Sequence, residues 1–141
     1  MYKKLIYISH RDWIFKSSVK ETLLEGKENA TDKEMWEVLQ KVQLSDFVKE
    51  NGGLSMLIQE NAVNLSGGQK QRLSIARSLI HDSEILIFDE ATSNIDVESE
   101  KAILDLIQIL KGTKTIIIIS HRNQNDLKFD SVYTFENGEI L

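Results

Sequence analysis

Two neighbouring carboxylates, Asp89 and Glu90, directly follow a run of apolar residues at positions 85–88. A continuous apolar run of this length predicts a strand that is buried on both faces of a parallel sheet. A carboxylate at the end of such a strand can hold Mg²⁺ through its oxygens and bound water. A second carboxylate beside it can orient an attacking water molecule and accept its proton. The pair therefore predicts a site for metal-assisted attack by water.

Two more apolar runs end beside residues that can take part in the same chemistry. Residues 5–8 lead through a serine to His10, and residues 116–119 lead through Ser120 to His121. Ligands of an open parallel sheet bind outside the carboxyl ends of its strands, so the three strand ends are expected to converge on one crevice. At a single strand end, a helix cap or a turn is the more common explanation for a polar residue. Three such ends together favour a functional site.

The segment Leu-Ser-Gly-Gly-Gln at positions 65–69 is the strongest single signal in the sequence. Ser66 and Gln69 have the spacing of a capping box, and apolar residues continue the predicted helix as far as Ile80. Its two glycines allow a second backbone to approach closely, and the free N–H groups of a helix N-terminus favour an anion. The alternative is an ordinary helix N-terminus after a turn. Because these five residues arise by chance in only about 1 in 10⁴ chains of this length, anion binding is favoured.

The patterns around these motifs predict the elements that position them. The residues Thr-Asp-Lys-Glu at 31–34 form a capping box that begins one helix, and an apolar stripe at 103–110 marks another. Residues 131–135 are predicted to form a fourth strand, joined by the Asn-Gly pair at 137–138 to a return strand that begins at 140–141. Strands and helices that alternate in this order predict an α/β fold with right-handed crossovers and a mostly parallel, buried sheet.

The domain organisation follows from where strand patterns are missing. Residues 17–82 contain helical patterns and no strong strand candidate, so they are expected to form an all-helical insertion between the first two long strands. Residues 1–16 and 83–141 are expected to form the α/β part. The chain is thus interpreted as a single domain over residues 1–141.

The composition excludes several classes of function. The chain has 141 residues, of which 41% are hydrophobic and 28% charged, as in an ordinary soluble domain. It has no cysteine, which excludes a disulfide framework and a thiolate metal site. A net charge of -5 argues against a nucleic-acid-binding surface. No apolar run approaches the roughly 20 residues that cross a bilayer, so a membrane role is expected to depend on a partner or on residues outside this sequence.

Together, these motifs resemble those of ATP-binding-cassette (ABC) transporter ATPases, over essentially the whole chain. Residues 65–72 resemble the signature motif of that family, and residues 85–89 resemble its Walker B strand, with Glu90 in the place of the catalytic glutamate. Ser93–Asp96 is similar to the D-loop, and His121 to the switch histidine. The resemblance implies a partial P-loop NTPase fold. It also implies binding and hydrolysis of ATP, with Mg²⁺, to drive transmembrane transport.

The resemblance implies a role for each matching residue. Asp89 would hold Mg²⁺ through water, Glu90 would polarise the attacking water, and His121 would contact the γ-phosphate. Asp96 would lie at the interface of a head-to-tail dimer that encloses two ATP molecules. Four signature residues would bind the γ-phosphate of a nucleotide that the opposite subunit holds. These four are Ser66, Gly67, Gly68 and Gln69.

Two further segments resemble the exporter type of the family. Residues 14–21 are similar to the exporter segment that follows the Q-loop, and residues 59–64 are similar to the exporter X-loop, with Glu60 at its acidic position. The implied partners are an ABC transmembrane domain and a second nucleotide-binding domain, with no nucleic acid. The implied location is the cytoplasmic face of the cell membrane, where the helical insertion would contact the membrane-spanning domain.

The sequence departs from the family pattern in two places. It contains no Gly-x-x-x-x-Gly-Lys-Ser/Thr segment, the Walker A loop, so it lacks the amide cradle and the lysine that hold nucleotide phosphates. The chain is therefore interpreted as the C-terminal portion of a nucleotide-binding domain that is inactive alone. His10 stands where the Q-loop glutamine is expected. Its imidazole can accept a hydrogen bond from a Mg²⁺-bound water and would titrate near neutral pH. The alternative is that histidine is a tolerated loop substitution here, with weakened coupling between ATP hydrolysis and transport.

Two other functions are compatible with these residues. A non-catalytic module would donate its signature motif in trans to a partner cassette whose phosphate loop is complete. A soluble ABC-type ATPase of DNA repair or translation would use the same motifs without transport. The acidic net charge and the exporter-like residues around Phe15 and Glu60 argue against the soluble ATPase.

Overall fold

The computed structural model describes residues 5–122 and 127–141 as an α/β fold. In chain order its strands are β1 (Leu5–Ser9), β2 (Ser17–Ser18), β3 (Leu57–Ile58), β4 (Ile85–Asp89), β5 (Thr115–Ile119), β6 (Phe135–Glu136) and β7 (Glu139–Ile140). Its α-helices are α1 (Val19–Gly26), α2 (Asp32–Lys41), α3 (Ser45–Glu50), α4 (Gly67–Leu79) and α5 (Val97–Leu110). Among the described residues, no helix is long and apolar enough to cross a membrane.

The central sheet consists of three parallel strands in the order β1-β4-β5. The register places Tyr7 beside Ile87 and Ile87 beside Ile117, so the three strands end at the same edge. The α/β fold class and the parallel sheet predicted from the sequence are confirmed. Helix α5 connects β4 to β5, and the segment from β2 to α4 connects β1 to β4.

Only one face of the sheet is covered within the described residues. Ile8, Leu86 and Phe88 point to the covered face and are at most 1% exposed. On the other face, Tyr7 is 52% exposed and Ile117 is 46% exposed. The prediction that the long strands are buried on both faces is therefore wrong for β1 and β5 in this part of the chain. The apolar side chains on the uncovered face nevertheless explain why the sequence shows continuous apolar runs.

The segment between β1 and β4 is mostly helical, and its helices begin at capping boxes. Thr31 accepts from the backbone N–H of Glu34, whose carboxylate accepts from the backbone N–H of Thr31, as predicted. A second capping box, which was not predicted, joins Ser18 and Glu21 at the start of α1. The segment is not entirely helical, because β2 and β3 form an antiparallel pair. Strands of two residues are too short to give an alternating pattern in the sequence.

Helices α1 and α4 pack closely at Gly26, the last residue of α1. A Cβ atom at this position would overlap the carbonyl oxygen of Arg77 and would lie 2.8 Å from Ile80 Cγ2. Both neighbours belong to α4 or its cap, and a backbone carbonyl cannot move without moving the helix. Gly26 is therefore required by a close approach of two helices.

Replacing Gly26 with alanine is expected to lower the free energy of unfolding by about 1–3 kcal/mol, because α1 and α4 must separate to admit the methyl group. Urea denaturation of the variant and the parent chain measures the difference. Gly67→Ala is the matched control, since its Cβ would approach nothing closer than 4.0 Å. An unchanged midpoint in Gly26→Ala would show that the helices are not in contact there.

The C-terminal strands form a short hairpin. Asn137 and Gly138 have φ angles of 51° and 86°, as the tight turn of an Asn-Gly hairpin requires. The predicted hairpin is thus confirmed, but its first strand is shorter than expected. Residues 131–134 are not in a strand, and pairing begins at Phe135.

Candidate functional site

The three strand ends meet as the sequence predicts. Ser9 pairs with Asp89, and Asp89 pairs with Ile119, at the last positions of the three strands. The backbone N–H of Glu90 donates to the carbonyl of Ile119 at 3.0 Å, which extends the β4–β5 pairing by one step. The polar residues that follow the three strands therefore lie at one edge of the sheet.

Glu90 is held at this edge by groups from two different loops. The backbone N–H of His121 donates to Glu90 Oε1 at 3.0 Å, and the Ser93 hydroxyl donates to Glu90 Oε2 at 2.6 Å. The imidazole Nε2 of His121 lies 3.6 Å from Oε1. The structure thus joins the two residues predicted to be catalytic and adds Ser93, which the sequence placed in the D-loop without a role.

The surroundings of Glu90 favour its ionised form. The Ser93 hydrogen bond lowers the pKa of Glu90, with smaller contributions from the His121 N–H and from the charges of His121 and His10, while partial burial opposes them. A carboxylate that is ionised at neutral pH can accept a proton from water. The backbone of Glu90 is also unusual, since its φ of 52° lies in the left-handed region that non-glycine residues seldom adopt. Glu90 N–H and C=O are both hydrogen-bonded, to Ile119 and Ser93, which stabilises this conformation.

Asp89 is contacted by an aromatic residue of the neighbouring strand. The hydroxyl of Tyr7, which is on β1, donates to Asp89 Oδ2. This hydrogen bond is the main reason why the pKa of Tyr7 is raised. The bond uses one carboxylate oxygen of Asp89, so Oδ1 remains for a water molecule of a hydrated metal. Tyr7 was not predicted as a site residue, because its partner is far away in the sequence.

The acidic pair does not by itself form a metal cage. Among residues 5–122 and 127–141, no group of at least three His, Cys, Asp or Glu side chains is arranged to hold a metal ion. A single carboxylate at the end of a strand suits Mg²⁺. This ion keeps several of its water ligands and is commonly bound by one or two carboxylates together with substrate phosphates. The residues present therefore fit a Mg²⁺ ion held through water by Asp89, as the family resemblance implies.

His10 lies in the loop that follows β1, beside the other strand ends. Arg11 Nε donates to His10 Nε2 at 3.2 Å. Ser9, the residue before His10, pairs with Asp89 at the end of β1, and the charge of His10 contributes slightly to lowering the pKa of Glu90. The structure thus brings His10 to the predicted edge, and its role toward a metal-bound water stays a prediction.

The signature segment begins α4 with the predicted capping box. Gln69 N–H donates to Ser66 Oγ at 3.1 Å, and Ser66 N–H donates to the side-chain oxygen of Gln69 at 2.9 Å. The two glycines differ in their surroundings. Gly67 is exposed, whereas Gly68 is buried so closely against α5 that a Cβ would overlap Ser99. The helix N-terminus is therefore open to solvent on one side and packed on the other.

Asp96 lies on the packed side of the signature helix. Its carboxylate accepts from the backbone N–H of Ser99 at 2.8 Å and caps α5. This bond is the main reason why the pKa of Asp96 is lowered, and a hydrogen bond with the Ser99 side chain is the second. A Cβ at Gly68 would lie 2.5 Å from Asp96 Oδ2, so the D-loop and the signature segment of one chain are neighbours. The hydrogen bonds of Ser66 and Gln69 stay within the first turn of α4 and do not reach Glu90.

The signature helix is also tied to the loop after β1. Gln71 donates to the carbonyl of Ser9 at 3.2 Å, and Ser74 donates to Asp12 Oδ2 at 2.7 Å. The same loop carries Trp13 and Phe15, whose side chains are 69% and 66% exposed. The loop that carries these aromatic rings is thus connected to α4 by two hydrogen bonds.

Comparison with known proteins relates this chain to a family. Residues 2–93 match the ABC transporter family. An uncharacterized ABC transporter ATP-binding protein of Haemophilus influenzae is 46% identical over 140 residues, which cover 99% of this chain and 25% of that protein. A Staphylococcus aureus protein, named as a multidrug export ATP-binding/permease protein, is 41% identical over 129 residues, or 91% of this chain and 22% of that one.

A solved structure gives the same result for the fold. The structure of a bacterial Atm1-family ABC exporter with ATP bound superposes with a TM-score of 0.85 and 28% sequence identity, over 96% of this chain and 24% of that one. The chain thus spans about a quarter of the length of the proteins that it matches.

Proposed function

Since this chain belongs to the ABC transporter family, we propose that it forms the part of an exporter's nucleotide-binding domain that carries the catalytic glutamate and the signature motif. The observation that supports this most strongly is the position of Glu90. Its carboxylate, whose pKa is lowered mainly by the Ser93 hydrogen bond, stands at the end of the central strand and is held by Ser93 and His121. That is the geometry needed to orient a water molecule at the edge of a parallel sheet.

The reaction is the hydrolysis of ATP. Glu90 orients the attacking water and accepts its proton as the new oxygen–phosphorus bond forms, while the bond between the γ-phosphorus and the bridging oxygen breaks and ADP leaves. The imidazole of His121, which is 94% exposed, is free to turn toward the γ-phosphate and to stabilise its charge. Asp89, whose Oδ2 accepts from the Tyr7 hydroxyl, would hold a water ligand of Mg²⁺. When bound, Mg²⁺ neutralises charge on the β- and γ-phosphates.

The signature segment acts on a nucleotide of the opposite subunit. The open side of the α4 N-terminus, at the exposed Gly67, offers the first backbone N–H of the helix and the positive end of the helix dipole to a γ-phosphate. Gln69 fixes the first turn through the capping box. Asp96 lies beside this end and is expected at the interface of two domains arranged head to tail.

The nucleotide phosphates are held by residues outside this sequence. The chain has no Walker A loop. The uncovered face of the sheet, which includes Tyr7 and Ile117, offers an apolar surface beside the strand ends. We assign the missing loop to a preceding part of a longer polypeptide, in keeping with relatives about four times as long. The exposed Trp13 and Phe15 suit contact with a membrane-spanning domain at the cytoplasmic face of the membrane.

The purified 141-residue chain is expected to show no steady ATP hydrolysis, because nothing in it cradles the phosphates. Release of inorganic phosphate with Mg²⁺-ATP measures the rate, and circular dichroism shows that the chain is folded. The native membrane protein serves as the positive control. Steady hydrolysis by the pure chain, lost on replacing Glu90 with glutamine, would contradict the proposal.

A second candidate function is supported by the contrast between a complete signature segment and the absence of a phosphate loop. In that case the chain donates Ser66–Gln69 to a partner cassette that is complete. Mixing the chain with a complete cassette and ATP would then give heterodimers in size-exclusion chromatography. Heterodimers that form only with ATP favour this second function.

A further inference from the structure

Within the part of the chain that the structure describes, the hydroxyl of Ser93 makes one hydrogen bond, to the carboxylate of Glu90. Ser93 Oγ donates to Glu90 Oε2 at 2.6 Å, while the His121 N–H donates to Oε1 at 3.0 Å. The two donors lie on opposite sides of the carboxylate and come from different loops. Each oxygen of Glu90 thus has its own donor, which fixes the plane of the carboxylate.

The backbone around Glu90 does not depend on the Ser93 side chain. The left-handed conformation at Glu90 is held by its N–H bond to Ile119 and by the N–H of Ser93, which donates to the Glu90 carbonyl at 3.0 Å. An alanine at position 93 keeps that N–H. A Ser93→Ala change therefore removes the hydroxyl and leaves the turn intact.

Without the hydroxyl, the Glu90 carboxylate would keep one hydrogen-bond donor among the described residues, the backbone N–H of His121. A glutamate side chain has considerable rotamer freedom, which a single bond to an exposed loop restrains poorly. The His121 residue that supplies this bond is itself exposed. The Ser93 hydroxyl is thus the more firmly placed of the two donors, since it is half-buried at the start of the segment that Asp96 anchors to α5.

We propose that Ser93 is a positioning residue for ATP hydrolysis, whose hydroxyl holds Glu90 Oε2 and thereby keeps Oε1 on the His121 amide. This inference rests on the proposed function of Glu90. In this role Ser93 acts on Glu90 of its own subunit, and no contact across a dimer is needed. A carboxylate fixed in this way presents one orientation to the attacking water.

The first test follows the His121 amide in the 141-residue chain, with no need for ATP. Exchange of this amide with water, measured by NMR, is expected to rise on the order of tenfold in Ser93→Ala, because the acceptor is released. Ser93→Thr retains a hydroxyl and is expected to keep the slow exchange. The matched control is Ser74→Ala, which removes another serine-to-carboxylate bond, to Asp12, away from Glu90. Unchanged exchange in a folded Ser93→Ala chain would overturn the inference.

The second test uses the native transporter and separates positioning from a structural role. Ser93→Ala is expected to lower kcat for ATP on the order of tenfold with KM unchanged, and Ser93→Thr is expected to restore it. A change in KM with kcat unaltered would overturn the assignment. Absence of ATP hydrolysis in the unaltered transporter would refute the proposed function, whereas the amide exchange would still decide whether Ser93 positions Glu90.

Discussion

Replacing Glu90 with glutamine is expected to lower steady ATP hydrolysis by the native transporter about 10²–10⁴-fold. Glutamine has nearly the same size, so the hydrogen bonds from Ser93 or His121 can persist in part, but an amide cannot accept a proton from water. Under the proposed function, the residues that cradle the nucleotide phosphates lie outside this sequence, so ATP affinity is expected to change little. Release of inorganic phosphate and equilibrium binding of ATP measure the two quantities separately.

A control for this substitution is available within the chain. Glu50, at the end of α3, is exposed and belongs to the helical segment rather than to the sheet edge. Glu50→Gln makes the same change of charge and is expected to leave the rate unaltered. If Glu90→Gln keeps more than a tenth of the parent rate, the proton acceptor is a different group.

Gly68→Ala is expected to have a large effect on both stability and hydrolysis. Its methyl group would overlap Ser99, which is 1% exposed, so α4 and α5 must separate at the point where the signature segment begins. Such overpacking typically costs about 1–3 kcal/mol of folding free energy. A shift of the signature N-terminus by about 1 Å would also put it in the wrong position relative to the γ-phosphate. Such a displacement is expected to lower the rate of hydrolysis on the order of 10²-fold.

A double-mutant cycle distinguishes this contact from a general defect. Ser99→Gly removes the side chain that the new methyl group meets, and the Gly68→Ala, Ser99→Gly pair is therefore expected to be more stable than the sum of the single changes. Urea denaturation measures all four chains. Strict additivity would mean that the two residues do not touch.

The sequence predicted the site best where chain position alone determines geometry. The residues after β4 and β5 had to share an edge once the strands were parallel, and His121 indeed contacts Glu90. The capping box of Ser66 and Gln69 is local and was also found. The sequence could not predict contacts between residues whose proximity depends on strand register or on loop conformation.

Tyr7 and Ser93 illustrate this limit. Tyr7 contacts Asp89, although 82 positions separate the two residues, because β1 pairs with β4 in one particular register. Ser93 reaches back to Glu90 in a turn where Glu90 adopts a positive φ, and no residue type in this segment predicts that conformation. Burial on both faces of the sheet was predicted from apolar runs, but the described residues cover one face, since an apolar pattern does not tell which elements supply the cover.

The size of the native polypeptide tests most directly whether this chain works as part of an exporter with its phosphate loop elsewhere. An antibody raised against the chain would be used to probe the membrane and soluble fractions of the source cells. A membrane-bound band much larger than 16.2 kDa is expected. A soluble band at 16.2 kDa would contradict the proposed exporter role and would favour a short protein that donates its signature segment to a partner.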